Sequence, residues 1–138
     1  MTEILMPAPK VLLVDDEPQI THLVARKFQL AGIQTIIGQD GEEGLQLALE
    51  HDVDLIVSDL QMPYMSGIEM ALALRQEPSM KRVPIIILTA RGYVLDRAEI
   101  EEAGISRVIP KPFSANELLE CVNTLLGDRS GSEIRDAA

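Results

Sequence analysis

Five short apolar runs, rich in β-branched residues, alternate along the chain with segments of helical periodicity. The runs lie at residues 11–14, 34–37, 55–57, 84–88 and 107–109. Between and after them, apolar residues recur at helical spacing: Ile20, Leu23, Val24 and Phe28; Leu45, Leu47, Ala48 and Leu49; Ile68, Ala71, Leu72 and Leu74; Leu118, Leu119, Val122, Leu125 and Leu126. Residues 94–103 have the weakest period and the most charge, and are predicted as the remaining helix. Local signals agree with this division. Ser66-Gly-Ile-Glu69 and Ser114-Ala-Asn-Glu117 read as capping boxes, with Phe113 and Leu118 placed as a hydrophobic staple beside the second. Pro18 suits a first helical turn, and Gly32 and Gly127 stand where helix C-caps are expected. Strand followed by helix, repeated five times, implies a parallel sheet with helices on both faces.

At 138 residues the chain suits one domain with its own core, and the absence of Trp makes that core aliphatic. The sequence divides into an N-terminal extension (1–9), a folded unit (10–126) and a polar, Gly/Ser-containing tail (127–138) read as a flexible end. Net charge is −10 with no basic block, which argues against direct binding of nucleic acid or of an anionic membrane. Cys121 is the single cysteine, so no internal disulfide forms, and a reducing cytoplasm is expected. No basic-then-apolar leader opens the chain, and no apolar run approaches the ~20 residues that span a bilayer.

The polar residues that follow the runs carry the chemistry. Asp15 and Asp16 follow the first run, Asp59 the third, Thr89 the fourth and Lys111 the fifth. In a parallel sheet these positions share the carboxyl edge, where ligands bind. Close carboxylates raise one another's pKa unless a cation relieves them. Oxygen ligands suit a hard ion such as Mg²⁺, and no Cys or His stands at these positions to make a zinc site. Carboxylates, a hydroxyl and an ammonium around such an ion suit phosphoryl transfer.

Val-Asp-Asp-Glu-Pro, then Ser-Asp59-Leu-Gln-Met-Pro-Tyr-Met-Ser-Gly67, then Leu-Thr89-Ala, then Lys111-Pro-Phe resembles the receiver domain of bacterial two-component response regulators, over residues 10–126. The resemblance implies a doubly wound, flavodoxin-like α/β fold: five parallel strands in order 2-1-3-4-5 with five helices. It implies Asp59 as phosphoacceptor, and Mg²⁺ held by Asp15, Asp16, Asp59 and the backbone carbonyl of Gln61. Thr89 closes on the phosphoryl group, Lys111 pairs with it, and the Lys111–Pro112 bond is cis. Gln61 and Arg91 flank the phosphoryl group. Val108 stands where the family often has an aromatic residue, which places ring rotation in question and shifts the expected movement to the Thr89 loop and the helix after it.

The implied role is a signalling switch, not an enzyme in its own right. A histidine kinase or phosphotransfer protein supplies the phosphoryl group, and the signal leaves by contact with a downstream protein, the chain being monomeric or dimerising on phosphorylation. No DNA-binding segment is expected within this length. A haloacid-dehalogenase-type phosphatase uses similar groups but places its nucleophile in Asp-x-Asp after the first strand, whereas here the aspartates are adjacent. A phosphorylation-independent binding module of the same shape is not favoured, since all the site residues are present. Blander readings hold elsewhere. His22 and His51 are expected on helix surfaces, Cys121 as a packing residue, Met62, Met65, Met70 and Met80 in the core or at its rim, and Glu99, Glu101 and Glu102 on a solvated face.

Overall fold

The computed structural model describes residues 7–137, with side chains through Gly127. Five strand–helix pairs follow one another: β1 (Lys10–Val14), α1 (Pro18–Leu30), β2 (Gln34–Gly38), α2 (Gly41–His51), β3 (Leu55–Asp59), α3 (Gly67–Leu74), β4 (Ile85–Thr89), α4 (Arg97–Ala103), β5 (Arg107–Pro110) and α5 (Ala115–Ala137), with a 3-10 turn at Pro78–Met80. The strands form one sheet in the order β2-β1-β3-β4-β5, every neighbouring pair parallel. This is the doubly wound flavodoxin-like α/β architecture expected.

Successive side chains of a strand point to opposite faces, so a sheet covered on both sides needs strands that are apolar throughout. The three central strands, β1, β3 and β4, supply two cores in this way. Leu12, Val14, Ile56, Ile85 and Ile87 pack with Ala48, Met70, Ala71, Leu74 and Ala103 under α2, α3 and α4. Val11, Leu13, Leu55, Val57, Ile86 and Leu88 pack with Val24, Phe28, Leu118 and Val122 under α1 and α5. Met70 and Met80 are buried, and Met62 and Met65 pack against the first core. Cys121 packs against the second, while His22 and His51 are exposed as expected.

The caps show why the elements start where they do. Pro18 opens α1, where its missing N–H costs nothing, and Gly32 adopts φ +84° just past the helix end. Asp40 accepts from the Glu43 N–H at 2.8 Å, and the Glu43 carboxylate accepts from the Gln39 N–H at 2.7 Å. Ser66 and Glu69 form a reciprocal capping box. Ser114 Oγ accepts from the Glu117 N–H at 3.0 Å at the head of α5.

Several expectations are corrected. Leu23 is not a core residue: it is 64% exposed, and Thr21 and Ala25 are buried on α1 instead. Leu49 is likewise exposed. The fourth helix starts at Arg97, not at residue 94, because Asp96 caps it by accepting from the Ala98 N–H. Gly127 does not end the last helix. The backbone helix continues to Ala137, which corrects the C-cap expected there. A glycine inside a helix costs only about 1 kcal/mol, too little to stop one alone. Residues 1–6 of the N-terminal extension, and Ala138, lie outside the described residues.

The two α1 positions give a direct test of this packing. Phe28→Ala, at a fully buried site, is expected to cost about 3–5 kcal/mol in urea unfolding. Leu23→Ala should stay within about 0.5 kcal/mol of wild type. Equal losses at both would contradict the orientation of α1.

Candidate functional site

The strand order reverses between β1 and β3, so the chain leaves their carboxyl ends in opposite directions and opens a crevice there. Asp15 follows β1 directly, its N–H bonded to the Gly38 carbonyl at 3.2 Å, and its side chain is buried. Its Oδ1 accepts from the Glu17 N–H at 2.9 Å, so the turn into α1 holds the carboxylate in place. Asp59 is the last residue of β3 and only 7% exposed. Asp16 and Glu17 sit exposed at the mouth. Oxygens of Asp15, Asp16, Glu17 and Asp59 all lie within 4.8 Å of one another.

The loop after β3 is folded back tightly under Asp59. The Leu60 N–H reaches the Leu88 carbonyl at 2.8 Å, and the Gly67 N–H returns to the Leu60 carbonyl at 2.9 Å. A Cβ on Gly67 would fall 2.5 Å from the Asp59 carbonyl oxygen and 3.0 Å from Ser58 Oγ. Backbone cannot yield there as a flexible side chain could, so only glycine closes this loop. Gln61 stands on the same loop, two residues past Asp59, with its side chain exposed.

Lys111 completes the cluster from β5. Its N–H donates to the Thr89 carbonyl at 2.7 Å, and the Lys111–Pro112 peptide bond is cis, as the resemblance implies. Its Nζ lies 3.2 Å from Glu17 Oε1, 3.3 Å from Asp59 Oδ1 and 3.5 Å from Asp15 Oδ2. Thr89 ends β4 and is buried. Asp59 pairs with Leu88 in the sheet, so Thr89 stands one residue beyond it on the neighbouring strand. Arg91 is exposed and lines a groove of about 510 Å³ with Glu17, Ile20, Leu23, Lys111 and Phe113. Val108 packs partly buried against the core under α4.

The predicted positions therefore converge on one edge. Sequence reasoning did not assign a part to Glu17, which joins both the acid cluster and the Lys111 contacts; its place directly after the adjacent aspartates was the available signal.

The charges are strained against one another. Burial, then the neighbouring Asp15 charge, pushes the Asp59 carboxyl up to about 6, with Lys111 opposing. Burial also raises Asp15, against the Glu17 N–H and Lys111. Burial pulls the Lys111 ammonium down, but Asp15, Asp59 and Glu17 together outweigh it and leave it above its ordinary value. The acids outnumber the one ammonium among them, and every donor in the cluster is oxygen. That donor set fits a hard divalent cation.

Comparison with known proteins follows the same lines. A family model described as "response regulator receiver domain" matches residues 11–123. The transcriptional regulatory protein CpxR of Escherichia coli K12 is 39% identical over 124 residues, covering 90% of this chain and 52% of that protein. The chain thus spans about half the length of this curated relative. Among solved structures, the receiver domain of Francisella response regulator 1452 superposes with a TM-score of 0.79 at 36% identity, covering 88% of this chain and 98% of that one. The receiver domain of the sensor histidine kinase PA1611 of Pseudomonas aeruginosa, described with a magnesium ion coordinated in its active-site cleft, superposes with a TM-score of 0.78 at 28% identity, covering 87% and 98%.

A carboxyl held near 6 against an ordinary 3.8 makes stability depend on pH. The folded state keeps a proton that the unfolded chain has released. This stabilisation is complete below about pH 4 and is lost as pH rises through 6. Asp59→Asn cannot ionise. In EDTA, its stability advantage over wild type should grow by on the order of 2–3 kcal/mol between pH 4 and pH 7. Denaturant unfolding at a series of pH values measures it, and a pH-independent difference would contradict the raised Asp59.

Proposed function

The chain belongs to the response regulator receiver domain family and has a role in two-component signalling; from that premise we propose that Asp59 accepts a phosphoryl group, which makes the chain a phosphorylation-dependent switch. The observation that carries this is the buried Asp59 carboxylate held 3.3 Å from the Lys111 ammonium at the sheet's carboxyl edge. A carboxylate oxygen of Asp59 forms a bond to phosphorus as the donor's phosphorus–nitrogen bond breaks, and the bonding pair leaves with the nitrogen. Lys111, already within reach of Asp59, pairs with the transferred oxygens. Thr89, one residue on along the neighbouring strand, supplies the hydroxyl that closes on them.

Asp15, Asp16 and Asp59, with the Gln61 carbonyl, would hold Mg²⁺; the all-oxygen cluster within 4.8 Å supports this set. The ion neutralises phosphoryl charge when bound. The Glu17 N–H holds the Asp15 carboxylate in place beside Asp59.

The phosphodonor is a histidine kinase or a histidine phosphotransfer protein. The groove walled by Ile20, Leu23 and Phe113 gives that donor an apolar seat beside Lys111, whose ammonium lies 3.3 Å from Asp59; a donor seated there also accounts for a leucine left 64% exposed on α1. Residues 10–126 form the switching unit, working in the cytoplasm. It turns over no substrate beyond its own phosphorylation and dephosphorylation. Its output passes to a protein partner, as a monomer or a phosphorylation-dependent dimer, without direct contact to nucleic acid. No described helix is long and apolar enough to cross a membrane.

Acetyl phosphate with Mg²⁺ should label wild type at Asp59 without a kinase, and Asp59→Asn should incorporate less than about a hundredth as much, the usual scale for losing a reacting group. Intact-mass and peptide spectrometry read this. Equal incorporation in both proteins would sink the assignment.

Arg91, exposed on the rim of the same groove as Lys111, is a guanidinium suited to a phosphoryl oxygen. Over the phosphoryl group it blocks the in-line path of the attacking water. Arg91→Ala should therefore shorten the phosphorylated state severalfold in a dephosphorylation time course in Mg²⁺. An unchanged or longer lifetime would rule out shielding.

A further inference from the structure

Arg75 ends α3, far along the chain from the acid cluster, and its guanidinium is half-buried without a carboxylate partner among the described residues. A buried cation needs its charge answered. Here backbone carbonyls answer it. Nε donates to the Ala103 carbonyl at 3.0 Å, one terminal nitrogen to the Gly104 carbonyl at 2.8 Å, and the other to the Met80 carbonyl. Ala103 and Gly104 are the last residue and the C-cap of α4, where carbonyls lack helical partners and the dipole favours a cation. Met80 closes the 3-10 turn that leads into β4. The carbonyl of Arg75 itself accepts from Lys81 Nζ at 2.9 Å.

Gly104 fits this node closely. It has φ +65°, and a Cβ there would lie 2.8 Å from Arg75 Nε. The Ile105 N–H then returns to the Ile100 carbonyl at 3.0 Å, and the Ser106 N–H reaches the Ile85 carbonyl at 2.8 Å, which ties the helix end to β4. The opposite end of α4 is built differently. Residues 90–94, between Thr89 and the helix, are exposed, with Val94 86% exposed, and Leu95 alone is buried before the Asp96 cap. One end of a seven-residue helix is therefore clamped by a planar donor fork, and the other hangs on an exposed loop that begins at Thr89.

We propose that Arg75 is the positioning residue that makes the C-terminal end of α4 a fixed pivot, so that a displacement of the Thr89 loop swings the head of α4 while residues 103–105 stay in place. The swing changes which surface the α4 head presents, and this gives the switch a directed output at a place where β5 carries Val108 and not a mobile ring. This rests on the phosphoryl switch proposed above. The clamp also explains why arginine, and not lysine, stands here. Three carbonyls from two segments need a rigid fork, which a single ammonium cannot match.

The test compares backbone amide spectra of wild type and Arg75→Lys, each resting and with Mg²⁺ plus beryllofluoride as phosphoryl analogue. In wild type, shift changes should concentrate at 89–97 and fall to background at 103–105. In Arg75→Lys, still folded by its dispersed spectrum, the changes should spread through 103–105. Hydrogen exchange at the Gly104 and Ile105 amides should quicken about tenfold, as expected for losing hydrogen bonds worth on the order of 1 kcal/mol net. Changes at 103–105 as large as those at 90–96 in wild type would overturn the proposal, as would a lysine variant with the wild-type pattern. If beryllofluoride perturbs nothing around Asp59, the phosphoryl switch fails. Arg75 is then judged by hydrogen exchange in the resting protein, where wild-type rates in Arg75→Lys would overturn the pivot.

Discussion

Everything at the functional edge depends on one ammonium. Lys111 lies within ion-pair distance of Asp15, Glu17 and Asp59, which come from the ends of two other strands and the turn after the first. Without a cation there, burial and mutual repulsion would favour protonated carboxyls, and the pKa of Asp59 already stands at about 6 with Lys111 present. The fold must bring Lys111 across more than ninety residues of sequence to reach Asp15 and Glu17. The parallel sheet does this by pointing every strand end the same way. Site and sheet thus share a cause. Strands apolar on both faces force helical crossovers, and the crossovers leave the polar residues that follow each strand on one rim.

The tight loop under Asp59 is the second constraint. Gly67 lies where no side chain fits against the Asp59 carbonyl, and it also opens α3 behind the Ser66–Glu69 box. One residue therefore sets both the backbone of Asp59 and the start of a helix. Neither an arrangement of carboxylates nor a helix cap would constrain that position so closely alone.

Much of this was legible in the sequence. The five apolar runs found the five strands within a residue or two; burial on both faces keeps β1, β3 and β4 apolar almost to their ends, while β2 and β5 lie at the sheet edges and are partly exposed. Their polar followers converge on one rim as expected, because strand direction alone decides which rim they reach. The failures had other causes. Leu23 matches the helical period, yet it faces the groove beside Lys111 and not the core; periodicity marks an apolar face without saying what covers it. Gly127 read as a terminus because a glycine is equally compatible with a cap and with a weakened helix interior. The head of α4 was misplaced because its only strong local signal is the short Asp96 cap. Glu17 carried no expected role, since nothing local shows that an N-cap side chain turns from its own helix toward the lysine that follows β5.

Glu17 and Arg75 show two different uses of a charged side chain. The N-cap position would let a shorter acid bond the first helical N–H groups, but Glu17 makes no such bond and reaches Lys111 instead. Its carboxylate is about half exposed, so the pair with Lys111 is weakly held and readily exchanged. A phosphoryl group, with more charge and more acceptor oxygens, competes well for the ammonium. Arg75 is the reverse case: a cation committed to three carbonyls, with no carboxylate paired to it among the described residues. The contact nearest the acid cluster is thus the exposed, singly paired one, and the contact at the far end of α4 is bonded three times over. The proposed switch would use that asymmetry, because a displacement at Thr89 becomes a directed movement only if some part of the helix that follows it stays still.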